Sequence, residues 1–318
     1  MSSRRVTIAI PIHNEEEVLP ALLQRVFAVL DQTPGGPHEL LLVDDGSRDG
    51  SLRILEDAAE RDPRLRVLVL SRNFGHQAAV SAAFDHATGD VMMVMDGDLQ
   101  DAPEALPILL KRLDEGFDVV YVRRTQRKEP FWLRTSYHIA YRIISRMSKL
   151  ALPVDAGDFA LLSRRAVDAV RALPERQRYL RGLRSWVGFR QTGEVIERYA
   201  RAAGESKYSV SALIALALDG TFAFSTAPLR LIGALGGFVL MLSGLFSIYA
   251  VFARVVLGQS PQGFTALTVL VTVIGGMILI SLWIIGEYVG RIYEEVKHRP
   301  IYLVDRTLGG VRRPEPPG

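Results

Sequence analysis

Two aspartates one residue apart, Asp96 and Asp98, are the strongest chemical feature of this chain. They end the apolar run Val91-Met92-Met93-Val94-Met95, and Leu99-Gln100-Asp101 follow directly. Carboxylates placed so at the tip of a strand can share one hard divalent cation. Mg²⁺ takes one or two carboxylates and leaves the rest of its octahedron to substrate phosphates. A nucleoside diphosphate is the natural ligand of such a half-built site. The tripeptide by itself is also a common turn, so its surroundings must decide.

Those surroundings repeat one arrangement. Val6–Ile10 is a β-rich run ended by Pro11, with Asn14-Glu15-Glu16-Glu17 behind it. Glu39–Val43 ends at Asp44-Asp45-Gly46-Ser47, and Leu65–Leu70 ends at Ser71-Arg72-Asn73-Phe74-Gly75. Asp118–Val122 ends at Arg123-Arg124. Helical spacing fills the gaps at about 18–30, 51–61 and 77–87. Continuous apolar runs alternating with helices predict an α/β fold with a mainly parallel sheet covered on both faces. Each polar cluster follows a strand. Ligands of open α/β sheets bind outside the carboxyl ends of the strands. Asn14, Asp44, Asp45, Arg72, Asp96, Asp98 and Arg123 are therefore expected to meet in space.

Some polar residues read more plainly. Asp101-Ala102-Pro103-Glu104 has the form of a helix N-cap with a capping box, so Asp101 is given no chemistry. His13 reads as a loop residue, and the six histidines include no pair at ligand spacing. Neither G-x-G-x-x-G nor a Walker A sequence is present, so the dinucleotide and P-loop readings lack their motifs.

Composition narrows the class. The chain has 318 residues, 48% hydrophobic and 23% charged, with a mean hydropathy of +0.15. That balance suits a soluble domain joined to a few membrane spans. Net charge is +3, with no cysteine, so disulfides and thiolate metal sites are excluded. No clustered basic stripe marks a nucleic-acid binder. Met1–Arg5 leads into too short an apolar run for a signal peptide, so the N-terminal domain is expected to stay cytoplasmic.

Four segments result: a catalytic domain at 1–208, an interfacial helix at 209–230, a transmembrane hairpin at 231–290 and a C-terminal tail at 291–318. The hairpin consists of spans at about 231–256 and 264–286, each reaching the ~20 apolar residues that cross a bilayer. Arg230 precedes it and Arg291, Lys297 and Arg299 follow, which places both termini in the cytoplasm. Residues 131–150 form an amphipathic helix with Arg134, Arg142, Arg146 and Lys149 on its basic face. Glu175–Arg190 interleaves Arg176, Arg178, Arg181, Arg184 and Arg190 with Tyr179 and Trp186. Stacked aromatics and arginines also suit single-stranded nucleic acid. A phosphate pocket above a membrane accounts for them more economically, since Arg matches phosphate geometry bidentately.

The combined motifs resemble a known family. Pro11-x-x-Asn14-Glu15, Asp44-Asp45-Gly46-Ser47-x-Asp49, Arg72-Asn73-x-Gly75 and Asp96-x-Asp98-Leu99-Gln100-Asp101 are similar to the inverting GT-A glycosyltransferases of family 2. Gly157-Asp158-Phe159, Arg178-Tyr179-x-Arg181-Gly182-Leu183, Ser185-Trp186-Val187-Gly188 and Ala203-Gly204-Glu205-Ser206-Lys207-Tyr208 extend the resemblance to its polyprenyl-phosphate branch. That branch includes dolichol-phosphate mannose synthase and the bacterial undecaprenyl-phosphate glucosyltransferases. The Q-x-x-R-W signature of processive polysaccharide synthases is absent.

The resemblance implies a Rossmann-like GT-A catalytic domain that uses Mg²⁺ or Mn²⁺. Pro11, Asn14, Glu15 and Asp44 would line the nucleotide-sugar pocket, Asp44 near the base, and Asp45 and Arg72 would join them. Asp96, Asp98 and Gln100 would hold the metal and the diphosphate. Arg123, Arg134, Arg178, Arg181 and Lys207 are assigned to the acceptor phosphate. Asp158 would be the acceptor-side carboxylate, completing a catalytic set with Asp96 and Asp98. The expected reaction passes a hexose from a nucleotide sugar to a membrane polyprenyl phosphate. UDP-glucose is the preferred donor, GDP-mannose the alternative, and a homotetramer is implied. A soluble-acceptor transferase and a non-catalytic membrane scaffold are the competing readings. The Asp158 and Arg178–Gly188 motifs count against the first, and the intact carboxylates count against the second.

Overall fold

The computed structural model describes residues 3–124, 156–176, 178–196, 227–256 and 263–310. They fall into two units, one built on a sheet and one on two long helices.

The sheet unit opens with four strands, β1 (Val6–Ile12), β2 (Glu39–Asp44), β3 (Leu65–Leu70) and β4 (Val91–Val94). Between them run α1 (Leu19–Gln32), α2 (Ser51–Arg61) and α3 (His76–His86). Ile8, Ile10, Leu40, Leu41, Leu42 and Val43 are wholly buried. Side chains on both faces of these strands are covered, so their sequence is continuous rather than alternating. Ala78, Ala79, Ala82 and Ala83 are buried on α3, and their small size lets that helix lie against β1 and β2.

A short turn of 3-10 helix leads into α4 (Leu106–Asp114), followed by β5 (Val119–Arg124) and β6 (Ala156–Ser163). Then come α5 (Arg164–Arg171), α6 (Leu180–Trp186) and β7 (Gln191–Ile196). The strand order is β7-β5-β6-β4-β1-β2-β3-β8. β1 pairs in parallel with β2 and β4, β2 with β3, and β5 with β7. β6 is antiparallel to both β4 and β5. The mainly parallel α/β sheet expected from the sequence is present, with β6 reversed within it. The reversal matters for function. It brings the start of β6, not its end, to the rim formed by the carboxyl ends of β1 to β4.

The eighth strand, β8 (Val304–Gly309), is antiparallel to β3. The sequence reading placed these residues in a C-terminal tail. Val304 and Leu308 are separated by three exposed polar residues, a pattern weak enough to pass for a linker. The opposite rim of the sheet is tied structurally. Glu39 accepts hydrogen bonds from Thr7 Oγ1 at 2.6 Å and from Thr88 N at 3.0 Å, and pairs with Arg66 at 2.9 Å.

The second unit holds α7 (Ala227–Val256) and α8 (Phe264–Val296), which touch each other. Residues 273–296 of α8 are long and apolar enough to cross a membrane, and none of that segment is buried. The apolar stretch of α7, Ile232–Phe246, is shorter. Both helices extend beyond the spans read from sequence. The basic helix expected at 131–150 and most of the interfacial helix expected at 209–230 lie outside the described residues.

Candidate active site

The loops at the carboxyl rim are knitted by their own polar groups. Asn14, in the left-handed region at φ 56°, follows β1. Its N–H donates to Ser47 Oγ at 3.0 Å and its Oδ1 accepts from Arg48 N at 2.8 Å, joining the β1 and β2 loops. His13 meets Asn14, the Asp45 carbonyl and Asn73 at 2.9–3.1 Å. It is a loop residue, as the sequence suggests, and one that joins three loops. Gly46 sits at φ +64°, and a Cβ there would lie 2.6 Å from Arg72 C and Asn73 N, so the β2 and β3 loops touch backbone to backbone. Arg72 lies over the Phe74 ring at 4.1 Å.

Asp44 and Asp45 have separate tasks. Asp45 is buried and accepts from the N–H groups of Phe74 at 2.7 Å and Gly75 at 2.9 Å, which fixes the lead-in to α3. Asp44 is 1% exposed. Its Oδ2 accepts from Ser47 N at 3.3 Å, while Oδ1 is buried with no partner. Burial raises its pKa, partly offset by Ser47. A buried acceptor left unmade is costly, and this one lies at the carboxyl end of β2.

The central pair is Asp96 and Asp158. Val94 is paired with Ala160 in the antiparallel β4–β6 register, so Asp96 and Asp158 stand opposite each other two steps on. His76, the first residue of α3, places Nε2 3.8 Å from Asp96 and 3.7 Å from Asp158. Arg181 on α6 grips Asp158 with both donors, Nε at 2.8 Å and Nη2 at 3.2 Å. Burial opposes charge on Asp158, but His76 and Arg181 outweigh it and hold the carboxyl well below the usual range. Asp96 goes the other way. Burial, and then the neighbouring Asp101 charge, push its pKa up to about 6. The His76 pKa is raised, because Asp158 and Asp96 overcome its burial.

Asp101 corrects the sequence reading. The 3-10 turn that follows has Ala102 as its N-cap, with no side-chain cap bond, and Asp101 Oδ2, in a residue only 2% exposed, accepts from Asp96 N at 3.2 Å. Glu104, the other half of the expected capping box, is held by Arg25 at 2.7 and 2.8 Å instead. Asp98 Oδ1 accepts from Gln100 N at 3.1 Å, and Leu99 takes φ 58° to close that turn. Gly97 between the aspartates is buried against β1: a Cβ would lie 2.9 Å from Ile12 Cδ1 and 3.3 Å from Pro11 O.

No cage of three or more His, Cys, Asp or Glu ligands forms among the described residues. Asp96 stands among Asp98, Asp101 and Asp158, whose charges add to burial in raising its pKa, and Asp96 and Asp98 could offer carboxylate oxygens to a divalent cation.

Residues 7–171 match the model for glycosyl transferase family 2. The chain belongs to this family. It is 39% identical to the uncharacterized glycosyltransferase YkcC of Bacillus subtilis, over 95% of this chain and 94% of that protein. It is 35% identical to an SfII prophage-derived bactoprenol glucosyl transferase of Shigella flexneri, over 96% and 99%. It is 36% identical to an undecaprenyl-phosphate 4-deoxy-4-formamido-L-arabinose transferase of Serratia proteamaculans, over 96% and 94%. A solved mannosyltransferase, PcManGT from Pyrobaculum calidifontis with GDP-Man and Mn²⁺, aligns over 89% of this chain and 88% of its own at TM-score 0.47 and 16% identity. Likeness at that level has no bearing on the site.

Within this family 2 domain, Pro11, Asn14, Glu15, Asp44, Asp45, Arg72, Asp96, Asp98, Gln100 and Arg123 lie at the carboxyl ends of β1 to β5 or directly after them. Asp158 joins them from the start of β6, and Arg181 from α6. Glu15 also serves α1, its carbonyl accepting from Val18 and Leu19 at 3.0 Å. Arg178 is turned elsewhere. Its buried fork meets the carbonyls of Leu173 and Glu175 and, at 3.9 Å, Asp85 on the last turn of α3. Arg134 and Lys207 lie outside the described residues. Sequence reasoning missed His76, named Arg184 only among the arginines of the 175–190 stretch, and gave Asp101 no chemistry. His76 follows the β3 loop by one residue, so the strand-end rule that flagged Arg72 was sufficient to reach it.

Proposed function

We propose that this chain transfers a hexose from a nucleoside-diphosphate sugar to a polyprenyl phosphate, with inversion at the anomeric carbon. The observation that carries the reading is the Asp96–His76–Asp158 cluster at the carboxyl rim, bordered by the unmade acceptor on Asp44. The acceptor class comes from the bactoprenol and undecaprenyl-phosphate transferases that the chain resembles along its whole length. UDP-glucose is the preferred donor and GDP-mannose the alternative. The glucosyl name of the Shigella relative supports the first.

The residues divide the work. Asp44 Oδ1 accepts an N–H of the nucleotide base. Asn14, Glu15, Asp45 and Arg72 shape the pocket around the nucleotide. Asp96, Asp98 and Gln100 would hold Mg²⁺ or Mn²⁺, which would supply positive charge for the diphosphate. Arg123 and Arg181, with Arg134 and Lys207 as further candidates, receive the acceptor phosphate. One of its oxygens attacks the anomeric carbon, the bond from that carbon to the diphosphate oxygen breaks, and the nucleoside diphosphate leaves. A phosphate monoester has its second pKa near ~6, so the attacking oxygen is already largely anionic at neutral pH. Asp158 therefore orients the acceptor first and takes a proton second. The long apolar surfaces of α7 and α8 suit a membrane hairpin with both termini in the cytoplasm, holding the enzyme near its lipid. A homotetramer is part of the same reading.

The test is a panel of nucleotide sugars incubated with the full chain and a polyprenyl phosphate, with and without a chelator. The reading expects one donor to dominate, product in the lipid phase and loss of turnover on chelation. Transfer only to soluble acceptors sinks the acceptor assignment.

A further inference from the structure

Arg184 has no part in the roles above. It is 5% exposed and sits on α6 one turn beyond Arg181. Its Nη1 donates to Gly157 O at 3.3 Å, and its guanidinium carbon lies 5.3 Å from the centre of the Tyr121 ring. Its Nε and Nη2 are buried with no hydrogen-bond partner. Burial lowers its pKa to about 10, against the opposing pull of Asp158, so the group is still a cation at neutral pH. Buried donors without acceptors are expensive, and more so when charged.

Residues three apart on a helix are neighbours. Asp158 therefore has two cations on adjacent turns of α6, and Arg181 is the one that grips it with a fork of two hydrogen bonds. A guanidinium fork suits carboxylate and phosphate equally. An incoming phosphate that drew Arg181 away would leave the buried Asp158 charge with His76 but without its two-pronged partner, which is unfavourable.

We propose that Arg184 is the reserve counter-ion of Asp158. When the acceptor phosphate binds, the Arg181 fork turns to it, and the idle Nε and Nη2 of Arg184 take over the Asp158 carboxylate. Arg184 is thus a positioning residue that acts through Asp158 and Arg181. The inference rests on the proposed phosphate acceptor.

The test uses the full chain in detergent, varying polyprenyl phosphate and nucleotide sugar in turn. Arg184→Met should raise the acceptor KM about tenfold or more, the worth of one charge-assisted hydrogen bond, with the donor KM within about twofold. Arg184→Lys, which restores the charge, should recover much of the acceptor KM. The double variant Arg181→Met/Arg184→Met should lose less than the product of the two single losses. Should Arg184→Met fail to fold, Arg184→Gln is read in the same assays with the same expectations. A wild-type acceptor KM in the folded neutral variant, an equal rise in both KM values, or a Lys variant no better than the neutral one overturns the role of Arg184 alone. A wild-type enzyme that turns over only soluble acceptors overturns the function and this role together.

Discussion

His76 stands between Asp96 and Asp158, with one ring nitrogen 3.8 Å from the first and 3.7 Å from the second. The two carboxylates come from strands that run in opposite directions, and α3 supplies the imidazole from its first residue. Replacing His76 with Ala leaves both carboxylates without this neighbour. We expect kcat to fall about tenfold or more, the worth of a charged hydrogen-bond partner lost from the cluster. The melting temperature should change little, since the ring is partly exposed. Wild-type kcat in a folded variant would remove His76 from the site.

Asp98 is the cleanest test of the metal assignment. Its Oδ1 closes the turn to Gln100, and Asn can keep that bond while losing the charge. Asp98→Asn should therefore fold normally but lose Mn²⁺-dependent nucleotide binding, as read by titration calorimetry with and without chelator. Undiminished metal-dependent binding would remove Asp98 from the ligand set.

Asp44 and Asp45 are adjacent and should give opposite phenotypes. Asp44→Ala removes a buried acceptor that the protein itself uses only at Oδ2. Nucleotide affinity should fall about tenfold or more. Asp45→Ala strips the acceptor from Phe74 N and Gly75 N. That should cost about 1–3 kcal/mol of stability in urea unfolding. If Asp45→Ala unfolds at the wild-type urea concentration, the loop is held by something else.

The sequence carried the strand-end logic well, because parallel strands buried on both faces leave a one-dimensional trace: an apolar run, then polar residues. Asp44, Asp96 and Arg123 were legible in that way. Asp158 was legible only by resemblance, since it lies near the start of a strand, where the rule for parallel strands does not look. Arg181 could be listed among the arginines, but its bidentate grip on Asp158 depends on how α6 meets β6, a pairing 23 residues apart. Asp101 was read as a cap because Asp-x-x-Glu before a helix satisfies the local capping rule, but the N-cap is Ala102 and one bond of the Asp101 carboxylate goes back to the Asp96 N–H. β8 was missed because its pairing partner β3 lies more than 230 residues earlier, and edge strands carry weak apolar patterning.

That late strand supports the last prediction. β8 covers the edge of β3, and just before it Leu303 O accepts from Ser71 N at 2.9 Å. Tyr302 donates its hydroxyl to Asp85 on α3 at 3.0 Å. The segment that follows α8 therefore grips both the loop carrying Arg72 and the helix carrying His76. Gly309 is the tight point of the pairing, at φ +62° with a would-be Cβ 2.3 Å from Leu65 O. A left-handed conformation costs a non-glycine residue about 1–2 kcal/mol before any clash is counted. Gly309→Val should therefore detach β8, lower the unfolding temperature and expose an apolar β3 edge that promotes aggregation. Ser71 would lose its carbonyl partner, so donor KM should rise in the same variant, although Gly309 lies at the far end of β3 from the site. A Gly309→Val protein with wild-type melting temperature and wild-type donor KM would show that β8 neither seals the sheet nor steadies the Arg72 loop.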